Sequence, residues 1–156
     1  MKTIRITFLC LCTFALLTNC KDDGPGEPPK TEAELRAEIM AGGTGKWTPA
    51  SGSPVTVNDL AVPELFTDFT ITFTSTGTGG SYTTTGTTPV WPRSGTWTFA
   101  DEEGLTFTRD DGMEITIVEI TETGLKLSLE WTETTYEEPT GRAQSLAGTT
   151  VFTLSK

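Results

Sequence analysis

From Gly45 onward, apolar and polar residues alternate with a period of two. The pattern runs through Phe69-Thr70-Ile71-Thr72-Phe73-Thr74, Trp97-Thr98-Phe99 and Leu105-Thr106-Phe107-Thr108. It recurs in Met113-Glu114-Ile115-Thr116-Ile117, in Leu125-Lys126-Leu127-Ser128-Leu129-Glu130-Trp131 and in Phe152-Thr153-Leu154. Successive side chains of an extended chain point to opposite faces, so these segments read as half-buried β-strands. Their Thr, Ile, Val and Phe content suits a pleated surface. With Lys46–Ala50 and Ser81–Thr85 added, eight strands are expected, at about 46–50, 68–75, 80–85, 95–100, 104–109, 113–121, 124–133 and 148–155. Val118 and Ile120 fall out of phase with Ile117, which predicts a bulge near 117–118. Ahead of the strands, Thr31 and Glu34 fit a capping box, Leu35 and Ile39 form an i,i+4 pair, and Gly42-Gly43 is a stop. One short helix over 31–41 follows.

Loop lengths give the topology. Thr76–Gly79, Asp101–Gly104, Asp110–Gly112 and Glu122–Gly124 are tight connections that join antiparallel neighbours. In a meander, the connections after strands two, four and six lie at one end, and all three are short. At the other end lie three long connections, Ser51–Thr67, Gly86–Ser94 and Thr134–Ala147. The fold class is therefore all-β, an eight-stranded antiparallel up-and-down barrel with one short N-terminal helix. A β-sandwich is the alternative, and it needs long crossovers for which the tight turns leave little room. The helix enters strand one from the tight end, where a Leu35/Ile39/Met40 face is expected to plug the opening. Inward positions include Phe69, Ile71, Phe73, Trp97, Phe99, Leu105, Phe107, Ile115, Phe152 and Leu154. Side chains this bulky fill an eight-stranded barrel, so a ligand would sit shallowly at the loop rim.

The N-terminus is of another character. Lys2 and Arg5 precede the apolar run Ile6–Leu17, which is too short to span a bilayer comfortably. This is the pattern of a bacterial export signal; a buried N-terminal helix is the competing reading. The cysteines are Cys10, Cys12 and Cys20. Removal of residues 1–19 leaves one thiol, which excludes an intramolecular disulfide. Residues 20–30 then form a Gly/Pro-rich tether, and 31–156 the folded domain.

Two family resemblances follow from these residues. Leu17-Thr18-Asn19-Cys20 resembles the lipobox of bacterial lipoproteins, and Lys21-Asp22-Asp23 resembles the acidic export tag of Bacteroidota surface lipoproteins. The resemblance implies acyl chains on Cys20 and a location at the outer membrane, facing outward. Gly45-Lys46-Trp47, opening the first strand after a short helix, resembles the Gly-x-Trp signature of lipocalins. The region 45–155 is similar to the lipocalin-like (calycin-like) domains of Bacteroidota lipoproteins. That resemblance gives Trp47 the barrel base. The lipocalin Thr-Asp-Tyr motif and disulfide are absent, and no arginine in the last strand is available to lie over the tryptophan.

Charge narrows the partners. The leader holds two of the 11 basic residues and none of the 21 acidic ones, so the mature chain carries −12. Nucleic acid and anionic headgroups are poor partners for such a surface. With no histidine, Ser-His and Cys-His nucleophiles are excluded. The acids stand mainly at turns (Asp101, Glu102, Glu103, Asp110, Asp111) or on outward strand positions (Glu114, Glu130), which argues against a carboxylate hydrolase. Turn chemistry also accounts for Asp110-Asp111-Gly112 better than calcium does. No metal or cofactor is expected, and no enzyme. The long loops hold the candidate ligand site: Leu65 and Phe66 in the first, Trp91 and Arg93 in the second, Tyr136 and Arg142 in the third. Aromatics there either stack on a small apolar or glycan-type ligand, with arginine taking a carboxylate, or simply cap the core. The two readings of function are a surface-anchored, non-enzymatic binding module and a solid scaffold that meets another envelope protein.

Overall fold

Thr31 opens the folded part of the computed structural model. Its hydroxyl accepts from the Glu34 amide at 3.2 Å while the Glu34 carboxylate accepts from the Thr31 amide at 2.9 Å, a closed capping box. Helix α1 (Glu32–Ala41) follows. The described residues are 28–52, 54–86, 88–132 and 147–156, with the backbone of 136–137 and 143–144. The expected leader 1–19, Cys20, Lys21-Asp22-Asp23 and the tether to residue 27 lie outside them, as do Arg142 and the side chain of Tyr136.

The strands are β1 (Lys46–Pro49), β2 (Val55–Val57), β3 (Leu60–Ala61), β4 (Thr70–Phe73), β5 (Gly79–Thr85) and β6 (Ser94–Phe99). They continue with β7 (Thr106–Arg109), β8 (Glu114–Ile120), β9 (Gly124–Trp131), β10 (Tyr136–Glu137), β11 (Ala143–Gln144) and β12 (Gly148–Ser155). Pairing runs β1-β4-β5-β6-β7-β8-β9-β12, and β12 returns to β1, which closes an eight-stranded antiparallel barrel. The bulge falls where the phase slip predicts, between Ile117 and Glu119, and turns Val118 out to solvent.

The first long connection is more structured than its length suggests. β1 and β2 are two halves of one line along β12: Thr48 and Pro49 pair with Ser155 and Leu154, then Val55–Val57 pair with Phe152–Thr150. Thr153 holds both halves to β12: its carbonyl accepts from the Ala50 amide at 2.9 Å and its amide donates to the Pro54 carbonyl at 2.7 Å, while Pro49 and Pro54 supply no N–H to the ladder there. Asn58 and Asp59 take φ of 48° and 64°, the left-handed turn that joins β2 to β3. The one-turn helix η1 (Pro63–Phe66) then brings Leu65 and Phe66 into the barrel.

Two inward assignments are corrected. The buried face of α1 is Ala33, Ala37 and Met40, whereas Leu35 is 41 % exposed and Ile39 half-buried. The reason is closeness: a Cβ on Gly104 would stand 2.6 Å from the Ala33 Cα, and the Ala33 amide donates to the Glu102 carbonyl at 2.9 Å. Only small side chains fit at that separation. Leu105, expected inside, is 44 % exposed. It precedes β7 at this same corner, where the helix backbone already occupies the space under Gly104.

The α1 end is locked by Trp47. Its indole is fully buried and donates to the Met40 carbonyl at 2.8 Å, one of the carbonyls a helix C-terminus leaves unpaired. Lys156, one residue past β12, holds its ammonium 4.6 Å from the Trp47 ring centroid and donates to the Ile39 carbonyl at 2.8 Å. Cation, indole and helix end thus form one latch. Trp47→Phe removes the indole donor and weakens the ring's hold on Lys156; urea denaturation is expected to show a loss of about 1–2 kcal/mol. Gly104→Ala is expected to cost more than Gly112→Ala, since both glycines have positive φ but a Cβ meets the helix only at Gly104.

Candidate functional site at the barrel mouth

The end opposite α1 is closed by side chains from two loops. From η1, Phe66 stacks edge-on against Phe152 at 5.1 Å and Phe69 at 6.0 Å. From 86–93, the Trp91 ring sits edge-on to Tyr82 at 5.4 Å, Phe152 at 6.0 Å and Phe73 at 6.5 Å. Leu65, Phe66, Val90 and Trp91 are all buried. Three of the expected rim residues, Leu65, Phe66 and Trp91, therefore point into the core and stopper the barrel. Arg93, one residue before β6, is exposed rather than buried with them. Below the stopper, Phe73, Trp97, Phe99 and Phe107 form a run of edge-to-face contacts that fills the interior.

The cation at the mouth is Arg109, which the loop-based reading missed. It ends β7 in phase with Phe107, so its side chain points inward, and it is 2 % exposed. Nε donates to Asp111 Oδ1 at 3.0 Å, Nη2 donates to Asp111 Oδ2, and Nη1 donates to the Val90 carbonyl at 2.9 Å. The guanidinium carbon lies 5.0 Å from the Trp91 ring centroid. Asp111 is fixed in turn by the Met113 amide at 3.1 Å. The hydrogen bond from Arg109, with help from the Met113 amide, holds the Asp111 carboxyl below its ordinary value, although partial burial pulls the other way.

Tyr82 completes the group. It lies opposite Gly95 across β5 and β6, and a Cβ at Gly95 would stand 2.6 Å from the tyrosine hydroxyl and 2.4 Å from Asp110 Oδ1. The glycine makes room for both groups. Burial pushes the Tyr82 phenol up, Arg109 opposes this, and Asp110 and Asp111 add to it. Among the described residues, Tyr82 Oη, Trp91 Nε1 and, from β12, Thr150 Oγ1 are buried without a hydrogen-bond partner. The other two described indoles in the core have one: Trp47 through Met40, and Trp97 through the Ser81 carbonyl at 3.2 Å. At the base, Arg36 Nε on α1 is likewise buried and unpaired, so three of these four atoms lie toward the mouth. Unpaired groups of this kind cost stability. Beside them on the rim, Pro49, Pro54, Pro63 and Phe66 border an open depression of about 380 Å³.

The turn acids Asp101, Glu102, Glu103, Asp110 and Asp111 are exposed, as are Glu114 and Glu130. Among the described residues no three His, Cys, Asp or Glu side chains converge as a metal site, and no helix is long and apolar enough to cross a membrane.

A family model for the lipocalin-like domain matches residues 44–127, just over half the chain, from the opening Gly45-Lys46-Trp47 into β9. The chain belongs to the lipocalin-like domain family. No curated protein and no solved structure matches it. The lipocalin-like fold is a ligand-binding fold, and its family is typically non-enzymatic. In this member the cation over the base tryptophan is Lys156.

The Arg109–Asp111 pair has a pH signature. The Asp111 carboxyl is lowered on folding from 3.8, so its contribution is complete above that value and is lost as pH falls through the lower folded value. The stability gap between the native protein and Asp111→Asn is expected to be widest at neutral pH and to narrow as chemical denaturation is followed down to about pH 2.

Proposed function

We propose that this protein is a lipid-anchored, non-enzymatic binding module of the outer membrane that holds a small apolar or glycan-type ligand at its loop-rich end. The observation that carries this reading is the contrast between the two barrel ends. The base is tied off by α1, Trp47 and Lys156, with its indole satisfied. The mouth keeps a buried cation and unpaired donors under loop side chains. Binding sites join an apolar body to a few polar groups of this sort.

The anchor fits that polarity. The described chain begins at the base, at Pro28 and Thr31, so acyl chains on Cys20 and the 20–30 tether put the base toward the membrane and the mouth away from it. Lys21, Asp22 and Asp23 serve as the signal for outward display. A second reading, a solid scaffold that meets another envelope protein, draws on the filled interior, where Trp91 and Phe66 occupy the space a deep ligand needs.

Cys20→Ser is expected to release the protein from membranes on fractionation; retention with the outer membrane argues against the anchor. Replacement of Lys21, Asp22 and Asp23 by alanine is expected to leave it anchored but shielded from protease added to intact cells. Native mass spectrometry of the full chain after incubation with cell-envelope extract tests the binding reading. A bound small molecule supports it, and a captured protein with no small molecule favours the scaffold.

A further inference from the structure

The mouth-binding reading, on which this inference rests, leaves open what chemistry the mouth selects. Arg109 narrows it. A buried guanidinium is costly unless it is fully paired. Here its partners are a carboxylate taken in fork geometry, one carbonyl and a flat π face. An aromatic carboxylate or sulfonate offers the first and last of these in one molecule. Both internal partners sit on connections at the mouth. Asp111 is in the β7–β8 turn with its side chain 41 % exposed, and Trp91 is in the 86–93 loop. The neighbouring Tyr82 is 99 % buried, and its buried hydroxyl has no hydrogen-bond partner.

We propose that Arg109 anchors a latent site for a planar organic anion, and that Asp111 and Trp91 hold the site shut by occupying the places of the ligand's acidic group and ring. On binding, Arg109 exchanges one carboxylate for another acidic group and remains paired. Asp111 turns to solvent, which it already half reaches. Trp91 leaves the Phe73, Tyr82 and Phe152 rings to the incoming ring, and the Tyr82 hydroxyl gains an acceptor. The work of displacing Trp91 lowers apparent affinity in proportion to the closed fraction, so variants that open the mouth bind more tightly.

Two dyes that differ by one sulfonate test this: anilinonaphthalene sulfonate and uncharged phenylnaphthylamine, titrated by fluorescence against the full-length chain. Asp111→Asn is expected to tighten the sulfonate several-fold and leave the neutral dye unchanged, since a charge-assisted fork is worth about tenfold in affinity. Trp91→Ala is expected to tighten both dyes. Adding Arg109→Met to Trp91→Ala is expected to abolish the preference for the sulfonate, with circular-dichroism melts confirming the fold. If that double variant does not fold, Arg109→Lys replaces it and is expected to keep only part of the preference. Equal affinities for the two dyes in Trp91→Ala, or no gain for the sulfonate in Asp111→Asn, overturn the anion site while leaving a binding mouth in place. Binding of neither dye to any folded variant overturns both.

Discussion

The barrel depends on β12. It pairs along its whole length with β9, from Gly148 opposite Trp131 to Ser155 opposite Gly124, and on its other side with β1 and β2. Without it, β1 and β9 are both open edges, and Thr-rich strands with open edges invite pairing with other chains. Closure also fixes the interior. Phe152 is carried to the centre of the mouth, where Phe66, Phe69 and Trp91 meet it, and Lys156 is delivered to the base to cover Trp47. One strand therefore positions a key group at each end.

The two ends differ in how their polar groups are treated. At the base, the indole N–H of Trp47 and the ammonium of Lys156 satisfy carbonyls of the last helical turn. That is an arrangement for stability. At the mouth, Arg109 is satisfied through Asp111 and Val90, while Tyr82 and Trp91 bury donors with nothing to give them to. Packing gained from the aromatic contacts offsets that cost, at roughly 0.5–1.5 kcal/mol for each well-placed ring pair. A protein that needed only a solid core would have leucine or phenylalanine in those places. Retained polar tips in an apolar mouth are what the proposed binding reading draws on.

Much of the architecture is legible in the residue pattern. The two-residue alternation marks the eight barrel strands, Thr31 and Glu34 mark the helix start, and the phase slip after Ile117 marks the bulge. Other features had a signal that loop reasoning passed over. Val55, Val57 and the Asn58-Asp59 turn spell a small hairpin inside the first long connection. Arg109 stands in phase with Phe107, so period two alone puts it inside. The buried face of α1 was not legible. Leu35 and Ile39 are the more apolar choice, and only the close approach of Gly104 makes Ala33 and Ala37 the residues that fit.

Residue order alone sets the eight barrel strands, the meander order and the end at which the three long connections gather, because alternation and turn chemistry act between near neighbours. Composition set the acidic balance and removed histidine chemistry. Tertiary structure decided whether the loop aromatics face solvent or core, and which arginine serves the mouth. Those outcomes rest on distances between residues far apart in the chain, such as Trp91 to Arg109 and Trp91 to Phe152. No local pattern encodes them, since a tryptophan between two prolines suits a stopper and a binding platform equally well.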